Sequence, residues 1–173
     1  LLVELSDGST VLSHLGMSGS FRIELPSHET TPGSFHFERG KLAAHDHVIF
    51  TVRGAAGEAA RIVYNDPRRF GFMDLIPPGG LGTNRFLAGL GIEPTGNELS
   101  GGVISALFDK KSASLKSALL DQRLIAGLGN IYVCEALWRS GLSPARAAGS
   151  ISGTKLALRL AHEIRQVISD AIE

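Results

Sequence analysis

The sequence predicts an α+β fold, a β-rich half read as part of a sandwich followed by a helical half. Three observations carry this. Residues 1–5, 10–15, 21–25, 47–52, 61–65 and 70–76 are short β-rich runs separated by turn chemistry. Pro77-Pro78-Gly79-Gly80 then breaks the pattern. Beyond it the apolar period changes from about 2 to about 3.6 residues.

Each element has its own signal. Ser6-Asp7-Gly8-Ser9 between the first two runs is a hairpin signal, and the stretch from Gly54 to Gly57 is a looser one. Residues 26–40 carry Ser, Thr, Pro and Gly and read as a long surface loop. Residues 103–108 and 115–120 read as short helices. Residues 131–140 read as another, with Asn130 at the N-cap and Gly141 as its stop. Leu156, Leu160, Ile164, Val167, Ile168 and Ala171 form one apolar stripe on a last helix, flanked by Lys155, Arg159, Arg165 and Asp170. The implied organisation is a β domain over 1–78, a linker over 79–97 and a helical domain over 98–173.

Composition excludes several classes. With 43% hydrophobic and 20% charged residues, the chain is neither disordered nor membrane-spanning, and it reads as a soluble intracellular globule. No apolar run approaches the ~20 residues of a membrane helix. Seventeen basic residues balance seventeen acidic ones, which argues mildly against nucleic-acid binding. Local counts partly answer this, because residues 108–146 hold six Lys/Arg against three Asp/Glu. Cys134 is the only cysteine, so no internal disulfide and no cysteine-based zinc site can form. It reads as a buried, inert thiol, and Trp138 on the same helix reads as core.

Two motifs carry chemistry. Asp66-Pro67-Arg68-Arg69-Phe70-Gly71 presents two guanidiniums and a flat apolar ring on a stiff turn. Guanidinium suits phosphate or base edges, and an aromatic ring can wedge into a base stack. The plainer alternative is a hairpin whose Phe70 enters the core and whose arginines are solvated. The second motif, Leu124-Ile125-Ala126-Gly127-Leu128-Gly129-Asn130-Ile131-Tyr132, is a glycine-rich turn feeding a helix N-terminus, a geometry that favours phosphate. An ordinary helix–turn–helix corner explains it equally.

Taken in order, His14-Leu15-Gly16-Met17-Ser18-Gly19, the Asp-Pro-Arg-Arg-Phe-Gly turn and Gly127-Leu128-Gly129-Asn130-Ile131-Tyr132 resemble bacterial formamidopyrimidine-DNA glycosylase. The likeness extends through His45-Asp46-His47, Leu90-Gly91-Ile92-Glu93-Pro94, Lys110-Lys111 and Asp121-Gln122-Arg123. It implies a base-excision repair enzyme that removes oxidised purines such as 8-oxoguanine and formamidopyrimidines, then cleaves the abasic strand. It implies a helix–two-turn–helix element near residues 115–140. The partner implied is double-stranded DNA carrying oxidised bases or abasic sites. No membrane is implied, and the protein would be a monomer of the bacterial cytoplasm, associated with the nucleoid.

Family members begin with a proline that serves as amine nucleophile, followed by a glutamate, use a catalytic lysine, and end in a four-cysteine zinc finger. This chain opens inside a strand and stops inside a helix, so it reads as the middle of a longer protein. No catalytic residue and no cofactor is expected in it; structural zinc is expected in the parent. Glu4 and Lys41 are not promoted to replace missing catalytic groups.

The resemblance implies that Met17 fills the void left by the flipped-out nucleotide, with Arg68 pairing to the orphaned cytosine and Phe70 inserting beside it. Arg69 would clamp phosphate. His14 and His45 would lie at the DNA backbone, Lys111 would contact DNA, Lys116 is a weaker candidate, and Gly129 and Asn130 would offer phosphate contacts. His14, His45 and His47, with Asp46, also raise a zinc hypothesis, but no fourth ligand is evident. His28, His36 and His162 read as solvated. Two alternatives stay open: a sister enzyme for oxidised pyrimidines, and a non-catalytic paralogue that only binds damaged DNA.

Overall fold

Alternation decides the β half. In Asp46–Arg53 every second side chain faces inward, giving a strand with one half-buried face and one exposed face. The computed structural model describes residues 1–26, 29–30, 42–55 and 57–172. It divides into two units, Leu1–Gly82 and Thr83–Glu173.

Among its described residues the first unit holds seven strands: β1 (Leu2–Glu4), β2 (Thr10–His14), β3 (Ser20–Glu24), β4 (Glu29–Thr30), β5 (Asp46–Arg53), β6 (Ala59–Asn65) and β7 (Phe72–Ile76). They form two antiparallel sheets, ordered β1-β2-β7 and β4-β3-β6-β5. Register is fixed by pairs such as His14 with Phe72 and Ser20 with Asn65. Both hairpin signals mark real turns. The Leu5 amide donates to Ser9 across the first, and the Gly54 amide to Glu58 across the second. The expected long loop is corrected at one point. Glu29 and Thr30 pair with Glu24 and Ile23 as β4, while its residues 31–40, His36 included, and His28 lie outside the described residues.

Arg22 organises the four-stranded sheet. Its guanidinium grips Asp46 with two hydrogen bonds of 2.7 and 2.6 Å and reaches Glu24 at 2.9 Å, while Arg61 pairs with the other Glu24 oxygen at 2.9 Å. The Asn65 amide also donates to Asp46. The Arg22 hydrogen bonds, opposed by burial and helped by Asn65, hold the Asp46 carboxyl at about 2. Asp46 is thereby committed to a structural ion pair, which removes it from the zinc hypothesis.

The second unit holds α1 (Gly101–Phe108), α2 (Leu115–Leu120), α3 (Asn130–Ser140) and α4 (Lys155–Ile172). Ser100 and Ser114 cap the first two, their hydroxyls accepting from the Val103 and Ser117 amides. The Ser100 cap is why α1 starts two residues ahead of the expected Val103. Gly141 ends α3 in the left-handed conformation, as its position predicts. The core of this unit is one cluster that includes Phe108, Leu115, Leu119, Leu137, Leu160 and Ile164, all at 0 or 1% exposure. The α4 stripe enters it through Leu160, Ile164 and Val167, whereas Ala171 is exposed. No helix among the described residues is long and apolar enough to cross a membrane.

Two expectations on α3 fail. Trp138 is 76% exposed and Cys134 is exposed. The buried face of α3 falls at Val133, Ala136, Leu137 and Ser140, so Ile131, Cys134 and Trp138, spaced three and four apart, share the opposite face. Apolar neighbours in sequence placed both residues in the core, but on a helix the adjacent residue points about 100° away. The N-cap is also shifted by one. Gly129 caps α3 without a side-chain bond, and Asn130 is the first helical residue.

Candidate nucleic-acid interface

In the first unit the sequence brings two tight turns together at one end of the sheets. The turn after β2 carries Met17; the turn between β6 and β7 carries Arg68, Arg69 and Phe70. Gly16 makes the approach possible. It lies at φ 63°, and a Cβ there would stand 2.7 Å from the Phe70 carbonyl carbon and 2.8 Å from the Gly71 nitrogen. The two backbones therefore touch with no side chain between them. At their tips, Met17 is 73% exposed and Phe70 is 57% exposed. The core-hairpin alternative for Phe70 does not hold. The Arg68 guanidinium lies over the Phe70 ring, 4.7 Å from its centroid, so cation and ring form one stacked surface.

Beneath the tips is a carboxylate that sequence reasoning passed over. Asp66 is 1% exposed. One of its oxygens accepts from the Ser18 hydroxyl at 2.5 Å and the Arg68 amide at 3.2 Å. The other accepts from the Gly71 amide at 2.9 Å and the Tyr64 hydroxyl at 3.2 Å. Burial pushes this carboxyl up, but the four donors prevail and hold it at about 2. Tyr64 responds in kind. Its burial, the Asp66 charge and the shared hydrogen bond push the phenol up to about 12. Gly71 leaves the room Tyr64 needs, since a Cβ there would overlap the phenol oxygen. An Asp opening a Pro-Arg turn was the available signal, because Asp side chains commonly accept from amides just downstream.

Arg69 adopts φ 56°, a left-handed conformation uncommon for a side-chain-bearing residue. Its amide closes the turn on the Asp66 carbonyl at 3.3 Å. His14 is exposed and stacks on Phe72 with ring centroids 5.4 Å apart. Its Nδ1 accepts from the Gly16 amide at 3.0 Å, which assigns the neutral ring's proton to Nε2. His45 is half-buried, and its carbonyl accepts from the Asp66 amide. The His47 Nε2 lies 2.8 Å from the Asp66 carbonyl. The three histidines are thus tied to the turns, and among the described residues no three His, Cys, Asp or Glu side chains are grouped to hold a metal.

In the second unit, Gly129 and Asn130 are exposed at the start of α3. The turn before them is stapled by Gln122, whose role the sequence does not reveal. Its Oε1 accepts from the Gly127 amide at 2.8 Å, and its Nε2 donates to the Leu128 carbonyl at 2.9 Å. Residues 91 and 92 zip onto the same turn, with Gly91 and Ile92 donating to Gln122 and Leu124 and Ala126 donating back to Ile92. Lys111 is half-buried, its carbonyl accepting from Gly149, and Lys116 is half-buried early in α2. Lys110 is exposed at φ 54°.

A β unit with paired glycine-serine and proline-arginine turns, followed in sequence by helices joined through a glycine-rich double turn, defines the class: a two-unit protein with a helix–two-turn–helix element. The formamidopyrimidine-DNA glycosylase N-terminal domain family matches residues 1–73, and the formamidopyrimidine-DNA glycosylase H2TH domain family matches residues 90–173. The chain belongs to the formamidopyrimidine-DNA glycosylase family. It is 60% identical over 173 residues to the formamidopyrimidine-DNA glycosylase of Brucella ovis, covering 99% of this chain and 59% of that protein. It is 55% identical over 177 residues to that of Mesorhizobium japonicum, covering 99% and 60%. The chain therefore spans about three-fifths of the length of these relatives. Among solved structures it resembles the MutM (Fpg) protein of Thermus thermophilus, with TM-score 0.76, 33% identity and coverage of 99% of this chain and 56% of that one. It also resembles the Lactococcus lactis Fpg in complex with abasic-site DNA, with TM-score 0.77, 29% identity and coverage of 99% and 56%.

Proposed function

We propose that this chain is the duplex-opening and backbone-gripping part of a base-excision DNA glycosylase with associated abasic-site lyase activity, acting on oxidised purines in double-stranded DNA. One observation carries the reading: the juxtaposed exposed tips Met17, Arg68 and Phe70. Extruding a base costs a few kcal/mol of stacking and pairing, and the hole must be filled. A thioether, a ring and a fork of donors on two interlocked turns suit that task. Arg68 meets the widowed base, while Met17 and Phe70 replace the lost stacking. Arg69, His14, His45, Lys111, Lys116, Gly129 and Asn130 serve as phosphate contacts, with the His14 Nε2–H as donor. None of these is a nucleophile; they position DNA for chemistry carried by other residues of the full-length enzyme.

The same reading assigns residues 1–78 to part of a β-sandwich domain, 79–97 to a linker and 98–173 to the helical domain. It places the enzyme at the nucleoid of a bacterial cytoplasm as a monomer, with structural zinc in a segment outside this chain. Relatives solved with abasic-site DNA and with N7-benzyl-Fapy-dG DNA support the substrate class.

The test is Phe70→Ala in the full-length protein. Excision from a paired duplex should fall far more than cleavage at a preformed abasic site, with folding stability nearly unchanged. A loss of ~3–5 kcal/mol in stability with both activities falling in parallel would mark Phe70 as core instead.

A further inference from the structure

Met17 and the pair Arg68 and Phe70 sit on turns 48 or more residues apart in sequence, and ordinarily such loops move independently. Here they are bonded through the half-buried Ser18 and the buried Asp66. The Ser18 hydroxyl, next to Met17, donates to Asp66 and accepts from the Arg68 amide at 3.2 Å. The same carboxylate holds both ends of the second turn, through the Arg68 and Gly71 amides, and ties them to β6 through Tyr64. Glycine at position 16 seats one backbone directly on the other.

We propose that Asp66 and Ser18 are positioning residues that lock the two turns into one rigid wedge, so that Met17 enters the duplex only in register with Arg68 and Phe70. This rests on the wedge reading above and adds to it a mechanical link. A carboxylate is suited to the role because it accepts four hydrogen bonds at once and stays ionised under them. The hydroxyl of Ser18 is the first turn's hold on the second, through Asp66 and the Arg68 amide. Its loss leaves the second turn with its Arg68, Gly71 and Tyr64 bonds, but frees the first.

The experiment is a double-mutant cycle in the full-length enzyme, using Met17→Ala, Ser18→Ala and their combination. Each variant is assayed for excision of 8-oxoguanine paired with cytosine and for cleavage of a preformed abasic site. A 2-aminopurine beside the lesion reports the opening step. Ser18→Ala should slow opening and excision by roughly tenfold, with a much smaller effect on abasic-site cleavage. The combined variant should be no worse than Met17→Ala alone, because a freed Met17 is already ineffective. Ser18→Thr, which keeps the hydroxyl, should restore most of the opening rate. Asp66→Asn, with one acceptor oxygen fewer, should repeat the Ser18→Ala pattern; Ser18→Ala decides the matter should Asp66→Asn fail to fold. Additive losses, or wild-type opening in Ser18→Ala alongside a defective Met17→Ala, would overturn the coupling and leave the wedge standing. A Met17→Ala enzyme that opens paired duplex normally would remove the wedge reading itself and the coupling with it.

Discussion

Arg69 shows how much a single residue gives up for its place in the turn. Its left-handed φ of 56° costs roughly 1 kcal/mol for a residue with a Cβ, and glycine would avoid that cost. Arg69→Gly should therefore raise folding stability by up to about 1 kcal/mol in urea unfolding while weakening binding to damaged and undamaged duplex alike. The slope of log affinity against log salt should flatten by about one contact. Unchanged affinity and slope would show a merely solvated arginine. Asp66 and Asp46 make a second statement at this scale. Both carboxyls sit at about 2, below their usual range. A depressed carboxyl contributes stability above its unfolded value, near 4, and that contribution is lost as pH falls toward 2. Each is worth at most roughly 2–3 kcal/mol by this linkage. Stability measured between pH 5 and 2 should fall steeply, and Asp66→Asn should flatten that fall while lowering stability at neutral pH.

Among the elements, α3 separates what the sequence could reveal from what it could not. Its ends were legible, because a glycine-rich entry and Gly141 at the exit are backbone requirements written in residue type. Which way it faces was not. Trp138 and Leu137 are equally apolar in sequence, and only packing against the rest of the unit assigns one to solvent and one to the core. Trp138→Ala should change stability by less than about 1 kcal/mol, whereas Leu137→Ala should cost ~2–5 kcal/mol. Thermal unfolding of the two variants checks the assignment; the reverse order would return Trp138 to the core. The strands follow the same division. Alternation located β2, β3, β5 and β6 within a residue or two, but β4 pairs through only two residues and carries too little pattern to be read. Met17, Arg68 and Phe70 were visible as chemistry, while the bonds of Ser18 and Gln122 were not: Ser18 meets Asp66 across 48 residues, and Gln122 folds back on Gly127 and Leu128 only once the turn has formed.

At the scale of the whole molecule, charge and packing are both unevenly placed. Formal net charge is zero, so any attraction to a polyanion would come from local groups such as those between residues 108 and 146 rather than from the chain's overall field. Packing is more uneven still. Among the described residues, the first unit buries Leu12, Val63, Tyr64 and Ile76 as apolar core, while the second gathers its apolar core into one large cluster. Backbone amides exchange with solvent deuterium at rates set by how often their surroundings open. Amides of α3 and α4 should be the slowest to exchange and those of the β sheets markedly faster, and mass spectrometry of labelled peptides would show whether the order is reversed. On this expectation the turns that carry Met17 and Phe70 belong to the faster-exchanging unit. Four hydrogen bonds into one buried carboxylate should make an island of protection there: the Gly71 and Arg68 amides should outlast those of the strands around them.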